Sequence, residues 1–296
     1  MNVRIPPRRE ASAAAFCSLL LLLSACAGGA GGGGTPQVDS ADGPQVTVIG
    51  TDASPESRVA AALYGELLDS AGVRVRTAAT VYASPGAAVR AVVDGRIGLA
   101  PAYETATLRA LPAGQTASGS MATTLSMALP PGVDALPPAD AQGGVVLAVT
   151  RDTARKYRLL GLQDLGRIHA RLTVGGAAVG APDAPSAETL NTAYGAALIE
   201  GGTSHGADVL VLRSTDPSIA RDGLTVLADP KTVVPPEHLF PLISAPAADS
   251  RTRKALAVLG PSLTTDQLAA LTSSVAAGES PTRAARTWLR TRGLLH

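Results

Sequence analysis

The sequence predicts an α/β protein of two lobes with a helical tail, and three observations carry that expectation. Strand and helix patterns alternate from Val46 to Pro101. The same alternation restarts at Val145 and runs to Leu227, and from Ser250 onward the apolar spacing is helical only. Strands that alternate with helices imply a parallel sheet, and a second such unit inserted into the first leaves a cleft between lobes.

The folded part is read as beginning at Gln45. Val46 to Gly50 is a short β run ending in Gly. Ser54-Pro55 then starts a helix, with Ser as N-cap and Pro at the first helical position. Val59, Leu63, Leu67 and Leu68 repeat at helical spacing until Gly72 stops the helix. A strand over Val73 to Thr80, a helix from Pro85 to Asp94 closed by Gly95, and a strand over Ile97 to Pro101 complete the first unit. The second comprises strands at Val145 to Thr150, Leu172 to Val174, Asp208 to Leu212 and Leu224 to Leu227. Its helices begin at Thr153 and span Ala187 to Tyr194. Pro235-Pro236 breaks the chain before a return strand, Leu239 to Ser244. Helices over Arg251 to Leu259, Thr264 to Ala276 and Pro281 to Arg292 follow, and Ala284, Ala285, Trp288 and Leu289 form an apolar stripe on the last.

At 296 residues the chain accommodates one large domain or two small ones. Hydrophobic residues make up 46% and aromatics only 3%, so the core is built from Ala, Val and Leu. A formal charge of +1 argues against a nucleic-acid surface, which needs clustered positive charge. Arg4, Arg8 and Arg9 precede an apolar run, Ala13 to Leu23, that is short for a bilayer span. The run ends in Leu23-Ser24-Ala25-Cys26, which resembles the bacterial lipobox. The resemblance implies a signal peptide over 1–25, cleavage before Cys26, and acylation of its thiol. Two acyl chains give durable anchoring where one does not. The other cysteine, Cys17, leaves with the signal, so no disulfide or cysteine metal site is expected in the domain. The Gly-rich stretch after Cys26 reads as a tether, giving a lipidated and flexible segment over 26–44. One lobe is expected over 45–146 plus 243–296 and the other over 147–242, with hinges near Gly144 to Val149 and Val234 to Leu242.

Catalysis finds little support, and the chain is not expected to be an enzyme. His169, His205, His238 and His296 lack metal-ligand spacing, and there is no Gly-x-Ser-x-Gly turn. Asp216 and Asp222 read as turn residues. Neither a cofactor nor a metal is expected.

An ordered set of segments is similar to a known family. It includes Val48-Ile49-Gly50-Thr51-Asp52-Ala53-Ser54-Pro55-Glu56-Ser57, Asp94-Gly95-Arg96-Ile97-Gly98-Leu99-Ala100-Pro101-Ala102-Tyr103 and Lys156-Tyr157-Arg158-Leu159. Ser214-Thr215-Asp216-Pro217-Ser218-Ile219 and Ala284-Ala285-Arg286-Thr287-Trp288-Leu289 follow in the family's order. Together they resemble the substrate-binding lipoproteins of ABC importers for osmoprotectants such as glycine betaine, choline and carnitine. The resemblance implies a type II periplasmic-binding fold with two hinge crossovers that closes on a small-molecule solute. It also implies ABC permease subunits as partners, a monomer, and a place on the outer face of the cell membrane.

In that family a quaternary ammonium sits in a box of aromatic rings, each worth about 0.5–2 kcal/mol. The resemblance puts Tyr103 in the cleft, with Asp52, Ser54 and Thr215 on segments facing it. Tyr82 offers a further ring, though off the family's usual position. Arg213 stands where an aromatic residue is expected three places before Asp216. Ser84-Pro85-Gly86 replaces a Ser-Arg-Glu triplet, and Asp183 to Asn191 lacks the family's Arg and aromatic residues. A buried Arg213 repels a trimethylammonium group and suits a carboxylate, phosphate or polyhydroxylated ligand. Glu104 is expected to pair with Arg213 in the empty cleft. The ligand is therefore expected to have changed. A second reading is a lipoprotein that keeps the fold but serves as a sensor or envelope interaction module; a cleft that closes on no solute would distinguish it.

Overall fold

A computed structural model describes residues 46–111, 121–181, 183–202 and 206–295. The expected signal peptide, Cys26 with the whole expected tether, His205 and His296 lie outside the described residues.

Two five-stranded sheets organise the chain, and both follow one plan. In the first, β1 (Thr47–Asp52) lies between β2 (Val75–Tyr82) and the central β3 (Leu99–Tyr103) and is parallel to both. The return strand β10 (Leu239–Ser244) runs antiparallel to β3 and to β4 (Val133–Ala135). In the second, β6 (Leu172–Gly175) is parallel to β7 (Leu198–Gly202) and β8 (Val209–Arg213). β5 (Val145–Val149) runs antiparallel to β8 and to β9 (Thr225–Val226). Each sheet thus has one strand donated across the hinge, as two crossovers require.

The helices form where local chemistry predicts. α1 (Pro55–Ser70) starts at Ser54, whose Oγ accepts from Ser57 N at 3.1 Å. α2 (Pro85–Val93) is capped by Ser84 in the same way, with Ala87 N at 3.2 Å. α3 (Glu104–Ala110), α4 (Met121–Ala128) and the strands β4 and β7 were not expected; each is short, and too few residues show a period. α5 (Arg151–Tyr157), α6 (Ala187–Tyr194) and α7 (Pro217–Arg221) belong to the second lobe. The tail is α8 (Ser250–Ala257), α9 (Thr265–Ala276) and α10 (Pro281–Thr291). A reciprocal cap between Thr264 and Gln267 opens α9.

The inner strands β3, β5, β8 and β10 are covered on both faces and read as near-continuous apolar runs, whereas the edge strand β2 is largely exposed and carries Arg76, Thr77 and Thr80. On the first sheet, Ile49, Leu99, Leu239 and Ile243 pack with α1, α9 and α10, while Ala100, Phe240 and Leu242 meet α2. β8 alternates likewise: Val209 and Val211 join the main second core, Leu210 and Leu212 the opposite face. Ala284, Ala285 and Leu289 of α10 are buried, and Trp288 packs beside them.

The two crossovers run side by side. Gln142 and His238 form an antiparallel bridge, Gly143 N donates to Glu237 O at 3.0 Å, and Leu239 N donates to Ala141 O at 2.9 Å. Val145 already belongs to the second sheet and Leu239 to the first, so each crossover finishes earlier than the expected lobe boundaries. The reason is this mutual pairing, which delivers both chains directly into their strands.

Candidate functional site

The site lies where parallel strands end. β1 and β3 run side by side and finish at Asp52 and Tyr103, just before α1 and α3. β8 of the second sheet finishes at Arg213. Crevices outside the carboxyl ends of such strands are favoured ligand positions, because loops and helix starts diverge there. Here the crevice is a cavity of about 500 Å³. Asp52, Glu56 and Tyr103 reach it from the first lobe, Asp183 and Arg213 from the second, and Gly143 and Glu237 from the crossovers.

Glu56 is its structural centre. The Tyr103 hydroxyl donates to Glu56 Oε1, and the Thr215 hydroxyl donates to Oε2. Glu56 opens α1 on one lobe and Thr215 follows β8 on the other, so one carboxyl joins the two. Burial pushes Glu56 above the usual carboxyl range, while Thr215, Tyr103 and the positive Arg213 oppose the shift. Tyr103 is held well above the ordinary phenol range by burial first and the Glu56 charge second, so it keeps its proton and donates. Asp52 Oδ1 accepts from Ser54 N at 2.7 Å, and Asp52 N donates to the Ser57 hydroxyl oxygen at 3.2 Å, which sets the loop entering α1.

The expected Glu104–Arg213 pair does not form. Arg213 instead makes a forked pair with Asp183, Nη1–Oδ2 at 2.5 Å and Nη2–Oδ1 at 3.0 Å. Glu104 is buried elsewhere, accepting from His238 N at 3.1 Å with the His238 ring Nδ1 at 3.0 Å. It lines a separate hollow with Leu125 and Phe240. The chain turns into α3 at Tyr103, so the next side chain points away from the cleft. Arg213 and Tyr103 do line one cavity, but two nitrogens of Arg213 are already engaged.

Tyr82 is not a cleft ring. It ends the edge strand β2 and packs toward Gly50, with the Arg96 guanidinium 5.9 Å from its ring centre. The other described aromatics are also committed. Lys156 sits 4.8 Å from the Tyr157 ring, Lys231 5.3 Å from Tyr194 and Arg292 5.4 Å from Trp288. Tyr64 and Phe240 are 1% exposed core residues. Among the described residues lining the cavity, Tyr103 is the single aromatic.

Asp183, Glu237, Arg90 and Arg109 also line the cavity, and no local sequence pattern marks them. Glu56 lies inside the Val48–Ser57 segment that the resemblance sets at the cleft, where helix capping alone would account for its position. Glu237 follows Pro235-Pro236 at the return crossover, a signal of position though not of role. Among the described residues, no group of three or more His, Cys, Asp or Glu is arranged to hold a metal, and no helix is long and apolar enough to cross a membrane.

The sequence matches the family model described as the substrate-binding domain of ABC-type glycine betaine transport systems over residues 45–291. Similar solved structures include a glycine betaine/carnitine/choline ABC transporter protein, with TM-score 0.74 and 18% identity over 84% of this chain and 100% of that one. YehZ from Escherichia coli aligns with TM-score 0.62 and 21% identity over 84% and 99%. Lactococcal OpuAC, solved with glycine betaine, aligns with TM-score 0.54 and 16% identity over 84% and 96%. At these identities the likeness to individual structures is one of fold. A search of curated proteins returned no match.

Proposed function

Since this chain belongs to the substrate-binding domains of ABC-type glycine betaine transport systems, we propose that it is a monomeric, lipid-anchored solute receptor whose specificity has left quaternary ammonium compounds. It captures a small polar solute outside the cell and hands it to the permease subunits of an importer. It does not act as an enzyme. Lobe closure on the solute accounts for the paired crossovers and for a cavity built from both lobes.

The observation that carries the altered specificity is the lining of the cavity. A cage needs several rings around one cation, and Tyr103 is the one aromatic among the described lining residues. Losing two or three rings costs on the order of 1–5 kcal/mol, roughly ten- to several-thousand-fold in affinity. The hydroxyl of Tyr103 is also held by Glu56.

Thermal unfolding across a solute panel tests this reading. Betaine, choline, carnitine, polyols, phenolics and anionic solutes are each compared with buffer. A true ligand at 100 times its Kd is expected to stabilise the protein by about 2.7 kcal/mol. Strong stabilisation by betaine overturns the change in specificity. No shift with any solute overturns solute binding and favours a sensor or interaction module.

The anchor is tested separately. Cys26→Ser is expected to move the protein from the membrane fraction to the soluble fraction and to abolish palmitate labelling. Unchanged labelling removes Cys26 as the acylated residue.

A further inference from the structure

We propose that the solute is a compact zwitterion whose cationic nitrogen carries hydrogens, bound with the cation toward Glu237 and Glu56 and the anion toward Arg90 and Arg109. The inference rests on the solute-receptor reading above and narrows it to one chemical class.

The first observation is an unfilled acceptor. Glu237 is 3% exposed, and its Oε2 accepts from Thr105 N at 3.0 Å. Neither its Oε1 nor the Thr105 hydroxyl beside it makes a hydrogen bond of good geometry among the described residues, although that hydroxyl and the Ala106 N–H both approach the carboxyl closely enough to favour its charged form. A carboxylate oxygen offers two acceptor sites. Rotation of that hydroxyl fills at most one and leaves the other for a ligand. Buried acceptors without donors are costly, so a lone one in a cavity wall marks a place where a donor is missing. A trimethylammonium group has no N–H to give, whereas a primary or secondary ammonium has two or three.

The second observation is the distribution of charge. Among the described lining residues, Asp52, Glu56, Asp183 and Glu237 oppose Arg90, Arg109 and Arg213. Asp183 and Arg213 neutralise each other. Arg90 on α2 and Arg109 on α3 are exposed and have no carboxylate partner among the described residues. The Arg90 guanidinium folds back over the start of α2, where a Cβ added at Gly86 would lie 3.7 Å from Nη1. An anion held there meets two guanidiniums and a helix N-terminus together. Acid on the floor and base at the rim match a dipolar guest better than an ion of either sign. Burial raises Glu237, and the nearby Asp183 charge adds to that effect, so cation binding relieves both.

The test is calorimetric binding by the full chain of matched N-methylation series. The probes are glycine, sarcosine, dimethylglycine and betaine; proline and its N,N-dimethyl form; and γ-aminobutyrate with its trimethyl form. Ethanolamine and acetate supply each charge alone. In at least one series the N–H members are expected to bind at least about 10-fold more tightly than the fully methylated member and than either single-charge probe. Glu237→Gln is expected to weaken the N–H members about 10- to 100-fold and betaine, which loses only the charge attraction, by less than about 5-fold. Should that variant fold poorly, the exposed Arg109→Gln serves, weakening the zwitterions at least about 5-fold with no effect on ethanolamine. Equal or tighter binding of the methylated members overturns the inference and leaves solute binding intact. So does silence from every series while another solute of the panel stabilises the protein. Silence from every solute overturns both.

Discussion

Gly176→Ala is expected to lower stability by about 3 kcal/mol or more, enough to unfold much of the protein at moderate temperature. Gly176 follows β6 with φ at 124°, a conformation that L side chains rarely adopt. A Cβ there would lie 2.4 Å from Val211 O and 2.8 Å from Val211 N. Both atoms belong to β8, the strand beside β6, and Val211 O already accepts from Ala178 N at 3.0 Å. The clash is therefore with backbone fixed on two sides, and no rotamer change relieves it. Gly180→Ala is the control, since its φ is also positive at 76° but nothing lies within 4 Å of its Cβ position. It is expected to cost about 1 kcal/mol for the backbone alone. Denaturant midpoints separate the two, and equal losses would sink the steric argument.

The second large effect concerns binding and not the fold. Gly143→Ala is expected to cost at least about 100-fold in affinity for whichever panel solute stabilises the protein most. A Cβ at 143 would sit 2.4 Å from Glu56 Oε1 and 2.5 Å from Tyr103 Cε1. To make room, the Tyr103 ring must move, and with it the hydrogen bond through Glu56 that ties α1 to Thr215. Gly65→Ala, on α1 and outside the cavity lining, is the control, since the nearest atom to its Cβ position is Ile49 Cδ1 at 3.8 Å. A change below about 5-fold is expected there. If both variants bind alike, crowding at the crossover does not govern the site.

Much of the fold was legible because its determinants are local. Ser54-Pro55 and Ser84-Pro85 announce helix starts through side-chain caps, and both helices begin there. The apolar period of Val59, Leu63 and Leu67 places a helix face whatever that face meets. Short elements such as β4 and α3 were not legible, because three to seven residues carry too little period. Within the site, Asp52 to Ser57 could be placed near the cleft from order along the chain. The partner of Arg213 could not.

The amino-acid order alone thus determined the alternation of strands and helices, their caps, the return strand and the scarcity of rings. Tertiary structure alone decided which charges meet. Thr215 reaches Glu56 across 159 residues of sequence, Arg213 takes Asp183 instead of Glu104, and Glu237 is left with an open acceptor in the cavity wall. The physical reason is range. Caps and periodicity act over one or two helical turns, whereas an ion pair depends on where two crossovers and two sheets bring its halves, and no local pattern encodes that distance.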